Sequence, residues 1–229
     1  DAYTLVVRAA NGLETQGVVK PSALQYSLLG LTGIDPAISD STSRSNLLGD
    51  VIDRKFFADI DTVSEIQTLL DAVNNVLNAA NGIAGLTQSQ LTSLGITGVT
   101  LDNWALILKA IGDSPDDGAQ VNTLNGLQTL VTNTVNQAKA ALEVIQNYAE
   151  NNTRANLSLG VAPTLQNYLD AGVQGVTADN LSAINSALAT NTVNAARVGS
   201  ISNTQDVVNA YLNVFSVADG LDNINNAAN

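Results

Sequence analysis

The chain has 229 residues, of which 9 are basic and 21 acidic, giving a formal net charge of -12, and it contains no Cys, His or Met. That charge opposes DNA, RNA or anionic-bilayer binding, which needs a positive surface to release counterions. Without Cys there are no disulfides or thiolate metal sites, and without His the commonest general base and zinc ligand is gone, so most enzyme chemistries are disfavoured, carboxylate-only mechanisms survive, and neither an enzyme nor a metal or other cofactor is expected.

The longest strongly apolar run, Trp104 to Leu108, is far short of the roughly 20 residues that cross a bilayer. No membrane insertion is therefore expected. The sequence shows neither an initiator Met nor a signal peptide and reads as an internal fragment or a processed chain.

From the first residue onward the chain repeats itself. The string DAYTLVVRAANG at 1–12 matches two later helix ends, DAVNNVLNAANG at 71–82 and NAYLNVFSVADG at 209–220. Residues 1–12 are thus expected to end the last helix of a preceding copy. Three units of about 70 residues follow, at 13–82, 83–151 and 152–220, and 221–229 reads as the lead-in to another. The first unit is the divergent one, and the second has a long last helix. No segment alternates at period two, so the expected fold is all-α, a tandem array of three-helix bundles near the lower size limit for an independent core. Neighbouring repeats of the same parent chain are the expected partners.

Each unit carries one six-residue turn: Gly30-Leu-Thr-Gly33-Ile-Asp35, Gly95-Ile-Thr-Gly98-Val-Thr100 and Gly172-Val-Gln-Gly175-Val-Thr177. It reads as a helix stop followed at once by a helix start. Gly30, Gly95 and Gly172 suit the left-handed position just past a helix C-terminus, and the next apolar residue should fold back onto the last turn. The expected contacts are Tyr26 to Leu31, Leu91 to Ile96 and Tyr168 to Val173. Beyond Gly33, Gly98 and Gly175, the side chains of Asp35, Thr100 and Thr177 can cap a new helix, with Pro36 at a favoured first position. Val99 can staple onto Trp104 and Val176 onto Leu181, whereas the first copy has Ser39 at that place.

A third helix should start at Thr62, Thr123 and Ser200, 27 residues after Asp35 but 23 after Thr100 and Thr177, so the first copy carries a four-residue insertion. Thr62 and Glu65 form a capping box. Val63, Ile66, Leu70, Val73, Leu77 and Ala80 fall on one helical face. In the second unit Leu124, Leu127, Val131, Ala138, Leu142, Ile145 and Tyr148 continue that face for about eight residues more, a helix approaching about 42 Å. The lead-in 152–171 is similarly extended, and the two extensions are expected either to pack antiparallel or to run on as one helix. In the middle helices Leu101, Trp104, Ile107 and Ile111 match Ala178, Leu181, Ile184 and Leu188. Five residues past each third cap stands a glutamine, Gln67, Gln128 or Gln205, suited to a helix-surface or inter-helix hydrogen bond.

Motifs that could carry chemistry are weak. Asp113 to Gly118 has the composition of a calcium loop, yet Pro115 and Leu124 stand where oxygen ligands belong, so a solvated loop is the better reading. Asp59 and Asp61 flank a helix start, where the dipole favours carboxylates, rather than forming a catalytic pair. Trp104, Tyr26, Tyr148, Tyr168 and Tyr211 read as packing residues, the tyrosines with hydroxyls at the rim. The glycine turns lack the Lys and the preceding strand of a phosphate loop.

The string from Tyr168 to Leu188, YLDAGVQGVTADNLSAINSAL, with its partner around Gly95, resembles the helical repeats of giant bacterial surface adhesins of the type I secreted, RTX-like class. The resemblance covers almost the whole chain. It implies a secreted protein held at the bacterial cell surface, in which these repeats form the long body; no functional residue comes with it. The three-helix layout, with Tyr-x-x-x-Gly closing the first helix, is more distantly similar to the GA module of albumin-binding proteins, though the inter-helix segments differ in length and charge and albumin binding is not carried over. The expected function is a structural spacer or stalk that projects or links adhesive modules. The alternative is a helical module binding a host or matrix protein, and a pore-forming toxin is a third reading, suggested only by the long apolar helix of the second unit.

Overall fold

A computed structural model describes residues 2–10, 20–37, 40–114, 120–151 and 160–218. Among them every regular element is helical. Residues 1, 11–19, 38–39, 115–119, 152–159 and 219–229 lie outside the described residues, and with them the expectations placed there.

In chain order the helices are α1 (Ala2–Arg8), α2 (Ala23–Leu28), α3 (Ser41–Asp53), α4 (Val63–Ala80), α5 (Gln88–Ser93), α6 (Trp104–Gly112), α7 (Leu124–Asn151), α8 (Leu165–Asp170), α9 (Leu181–Leu188) and α10 (Ile201–Ala218), with 3-10 turns at Phe57–Asp59 and Ala195–Val198. The pattern of a short, a medium and a long helix thus occurs three times. Each opening helix has only 6 residues, too few to be stable alone. Each is started by a reciprocal pair. Thr87 N–H donates to Gln90 Oε1 at 3.0 Å while Gln90 N–H donates to Thr87 Oγ1 at 3.3 Å, and Thr164 and Asn167 do the same. Ser22 N–H donates to Gln25 Oε1 at 2.6 Å.

The compact units number two, Asp1–Thr134 and Val135–Asn229, so they do not follow the sequence boundaries at 82/83 and 151/152. The physical reason in the first unit is α4. It buries Ile66, Leu69, Leu70, Ala72, Val73, Val76, Leu77, Ala79 and Ala80, a set too wide for one face. It packs against α3 of its own repeat and against α5 and α6 of the next, so two repeats share one core. Val63, at the start of the expected stripe, is exposed. Ties outside the core reinforce the arrangement. The Arg44 guanidinium donates to Asn74 Oδ1 and Asn78 Oδ1, and Asp50 pairs with Lys20 while accepting the Leu124 N–H at 2.8 Å.

The second unit packs the C-terminal part of α7, through Ala141, Ile145 and Ala149, with Tyr168 of α8, Ile184 and Leu188 of α9, and Val207 and Val208 of α10. Tyr168 and Tyr26 are fully buried, so their hydroxyls do not lie at the rim. The Tyr168 hydroxyl donates to Asn185 Oδ1 at 2.6 Å, and Asn185 Nδ2 donates to the Pro163 carbonyl at 2.9 Å. Burial, with a smaller contribution from Tyr148, raises the Tyr168 pKa far above the ordinary phenol value, which keeps it a donor. Tyr148 and Tyr211 are half-buried.

Candidate functional site at the paired-glycine turns

Gly30, Gly95 and Gly172 hold φ of 93°, 88° and 76°. Leu31 N–H donates to the Tyr26 carbonyl at 3.3 Å, Ile96 N–H to Leu91 at 3.1 Å and Val173 N–H to Tyr168 at 2.9 Å. Each is the six-to-one bond that satisfies the last carbonyls of a helix, and the residue carrying that N–H is buried. The second glycines, Gly33, Gly98 and Gly175, are also left-handed, at 82°, 84° and 83°. The pair therefore sets two left-handed residues within four.

The glutamines hold the peptide between the two glycines. Thr32 N–H donates to Gln67 Oε1 at 2.9 Å and Gln67 Nε2 returns a bond to the Thr32 carbonyl at 3.2 Å. Thr97 and Gln128 repeat this at 2.9 and 3.2 Å, and Gln174 and Gln205 at 2.7 and 3.0 Å. The other Nε2 hydrogen goes one helical turn on, to Asp71, Thr132 or Asn209. Both Nε2 hydrogens are thereby used, so the group is a fastener between the turn and the long helix with no donor left for a ligand.

Beyond the second glycine the copies diverge. Thr100 N–H donates to Asn103 Oδ1 at 2.8 Å, Asn103 N–H to Thr100 Oγ1 at 3.3 Å, and Asn103 Nδ2 to the Gly98 carbonyl at 2.8 Å. Thr177, Asn180 and Gly175 are bonded likewise. Thr100 Oγ1 and Thr177 Oγ1 each accept an amide three residues on, while the regular helices start at Trp104 and Leu181. Leu101 is accordingly left 86% exposed rather than in the core. In the first copy Asp35 Oδ1 accepts the Ala37 N–H at 2.8 Å, so it closes a turn at Pro36 instead of a helix, and α3 begins at Ser41.

The third caps sit at their helix starts. Thr62 Oγ1 accepts the Glu65 N–H at 3.2 Å and Glu65 Oε2 accepts the Thr62 N–H at 2.9 Å. Those bonds from Thr62 hold the Glu65 carboxyl below its ordinary value of 4.5. Thr123 Oγ1 accepts from Gly126 N–H at 3.1 Å and Ser200 Oγ from Asn203 N–H at 3.0 Å.

Other places offer little chemistry. Asp113 pairs with Lys109, the buried Ser114 hydroxyl donates to the Ile111 carbonyl at 2.5 Å, and residues 115–119 are outside the described residues. Asp59 Oδ2 accepts the Phe56 N–H at 3.2 Å, closing its own 3-10 turn, while the Asp61 carbonyl accepts from the Tyr3 hydroxyl. A shallow depression of about 520 Å³ lies on the third turn, lined by Gly172, Gln174, Gly175, Ile201, Ser202, Gln205 and Asn209. Among the described residues no three acidic side chains gather as metal ligands, and no helix is long and apolar enough to cross a membrane.

Comparison with known proteins gives no match to a protein family, a curated protein or a solved structure.

Proposed function

We propose that the chain is a tandem array of three-helix bundles serving as spacer or stalk repeats of a large secreted bacterial surface adhesin, projecting or linking adhesive modules. The observation that carries this reading is the glutamine fastener, built three times with the same donors, acceptors and register and never accompanied by a repeated reactive group. A stalk needs joints of reproducible geometry and asks for no pocket. The sharing of α4 between its own repeat and the next supports such coupling. On this reading the protein is not an enzyme, and its partners are neighbouring repeats of the parent chain.

The test is to join one, two and four copies of the chain and measure the maximum dimension by small-angle scattering. The expected result is growth in proportion to copy number. A dimension that levels off with copy number overturns the spacer reading.

A second reading, a module binding a host or matrix protein, is favoured by one feature. In the first copy the adjacent Phe56 and Phe57 are 74% and 45% exposed, and exposed aromatics anchor many interfaces. Specific capture by immobilised matrix or serum proteins, lost on Phe56→Ser with Phe57→Ser, would support it.

A further inference from the structure

The last helix of each repeat ends with apolar residues in one register, and the neighbours of those residues differ. In 1–12, 71–82 and 209–220 the sequence aligns Val6, Val76 and Val214. Val6 and Val76 are 0% exposed, but Val214 is 69% exposed. Phe215, in the register of Leu77, is 45% exposed against 2% for Leu77. The end of α7 has the same pattern in Ala141, Ile145 and Ala149, all buried.

The cover is the same kind of element each time. α1 packs on α2, and α4 on α5 and α6; the end of α7 packs with α8 and α9 residues. In each case the opening helix of the following repeat packs with the helix that precedes it. At α10 the matching residues have no such cover among the described residues, and Tyr211 stacks on Phe215 at 6.2 Å between ring centroids.

We infer that the C-terminal face of α10, made by Tyr211, Val214 and Phe215, seats the opening helix and turn of a further repeat following in the same chain. The inference rests on the tandem-repeat reading above and adds the surface and its occupant. Exposed Val214 and Phe215 are apolar surface that water penalises, and the register match to Val76 and Leu77 names the element that fits it.

The experiment compares the chain as it stands with one in which 83–151, carrying α5 to α7, follows Gly220 in the place that it occupies after Gly82. Amide exchange across 209–216 is expected to slow by about tenfold or more in the extended chain. Val214→Asp with Phe215→Asp should abolish that slowing. In the unextended chain the same pair should move Tm by no more than about 2 °C, because both side chains already face water. Unchanged exchange on extension overturns the inference, as does an equal Tm loss in both chains. So does self-association of the unextended chain that the double substitution dissolves, which would make a second copy the occupant. If joined copies fail to lengthen in scattering while the slowing persists, the stalk function falls and the docking face stands.

Discussion

At Gly30 to Asp35 the chain closes one helix as it does at Gly95 to Thr100 and Gly172 to Thr177, with a left-handed glycine, the six-to-one bond and a glutamine on the central peptide. It opens the next helix differently. The later two copies use a threonine and an asparagine whose amide returns to the second glycine's carbonyl, whereas the first uses Asp35 and a proline turn. The stopping half of the turn is shared because it is tied to the long helix across the repeat. The starting half is tied only to its own few residues and is free to differ.

The largest effect expected from breaking this comparison is at the glycines. A Cβ on Gly95 would meet nothing within 4 Å, so Gly95→Ala isolates the left-handed cost, about 1–2 kcal/mol by denaturant unfolding. Gly175→Ala should cost more, since its Cβ would lie 2.7 Å from Leu212 Cδ1. Equal losses at the two sites would show that Leu212 yields freely.

Next come the fasteners. Gln128→Leu should cost about 1 kcal/mol, with similar values for Gln67→Leu and Gln205→Leu if the stopping half is one device in three places. Gln128→Glu keeps the acceptor for Thr97 N–H but loses the donor to the Thr97 carbonyl, so it should fall between wild type and Gln128→Leu. A threefold spread among the three leucine variants would break the equivalence.

The starting half should separate the copies. Asn103→Ala is expected to cost about 1–2 kcal/mol, because the Gly98 carbonyl loses its donor; Asp35→Ala should cost about 0.5 kcal/mol, the exposed carboxylate serving only a turn. Equal costs would mean that Asp35 caps as strongly as the threonine and asparagine together.

The smallest effect is a pH dependence at the Thr62 cap. The bonds from Thr62 depress the Glu65 pKa in the folded chain, so Glu65 adds stability above its unfolded pKa and loses that addition as pH falls through the folded value. The Tm difference between wild type and Glu65→Gln should therefore shrink on acidification from pH about 7 to about 3. A constant difference would show that the carboxylate charge plays no part.

Much of this was legible because it is local. Paired glycines, the Thr62–Glu65 box and the length of α7 are written in neighbouring residues, and α7 does span 28 residues. The opening boxes at Ser22, Thr87 and Thr164 were equally local, a Ser or Thr followed three residues on by Gln or Asn, but belonged to helices too short to show a period. The role of Asn103 and Asn180 was hidden because their side chains reach back five residues, to a carbonyl of the turn rather than to the helix they precede. The division into two compact units depends on α4 burying residues on both sides, which no single stripe announces.

The fasteners hold the backbone N–H and C=O of one residue, and at Thr97 the side-chain hydroxyl adds a bond of 3.3 Å to Gln128 Oε1. Thr32, Thr97 and Gln174 are all exposed, and their residue type has no part in the paired bonds. In a chain without cysteine, a single thiol placed at any of the three would mark that repeat alone. Spectroscopic rulers between such labels, or cargo hung from them, would follow the spacing of the sequence itself.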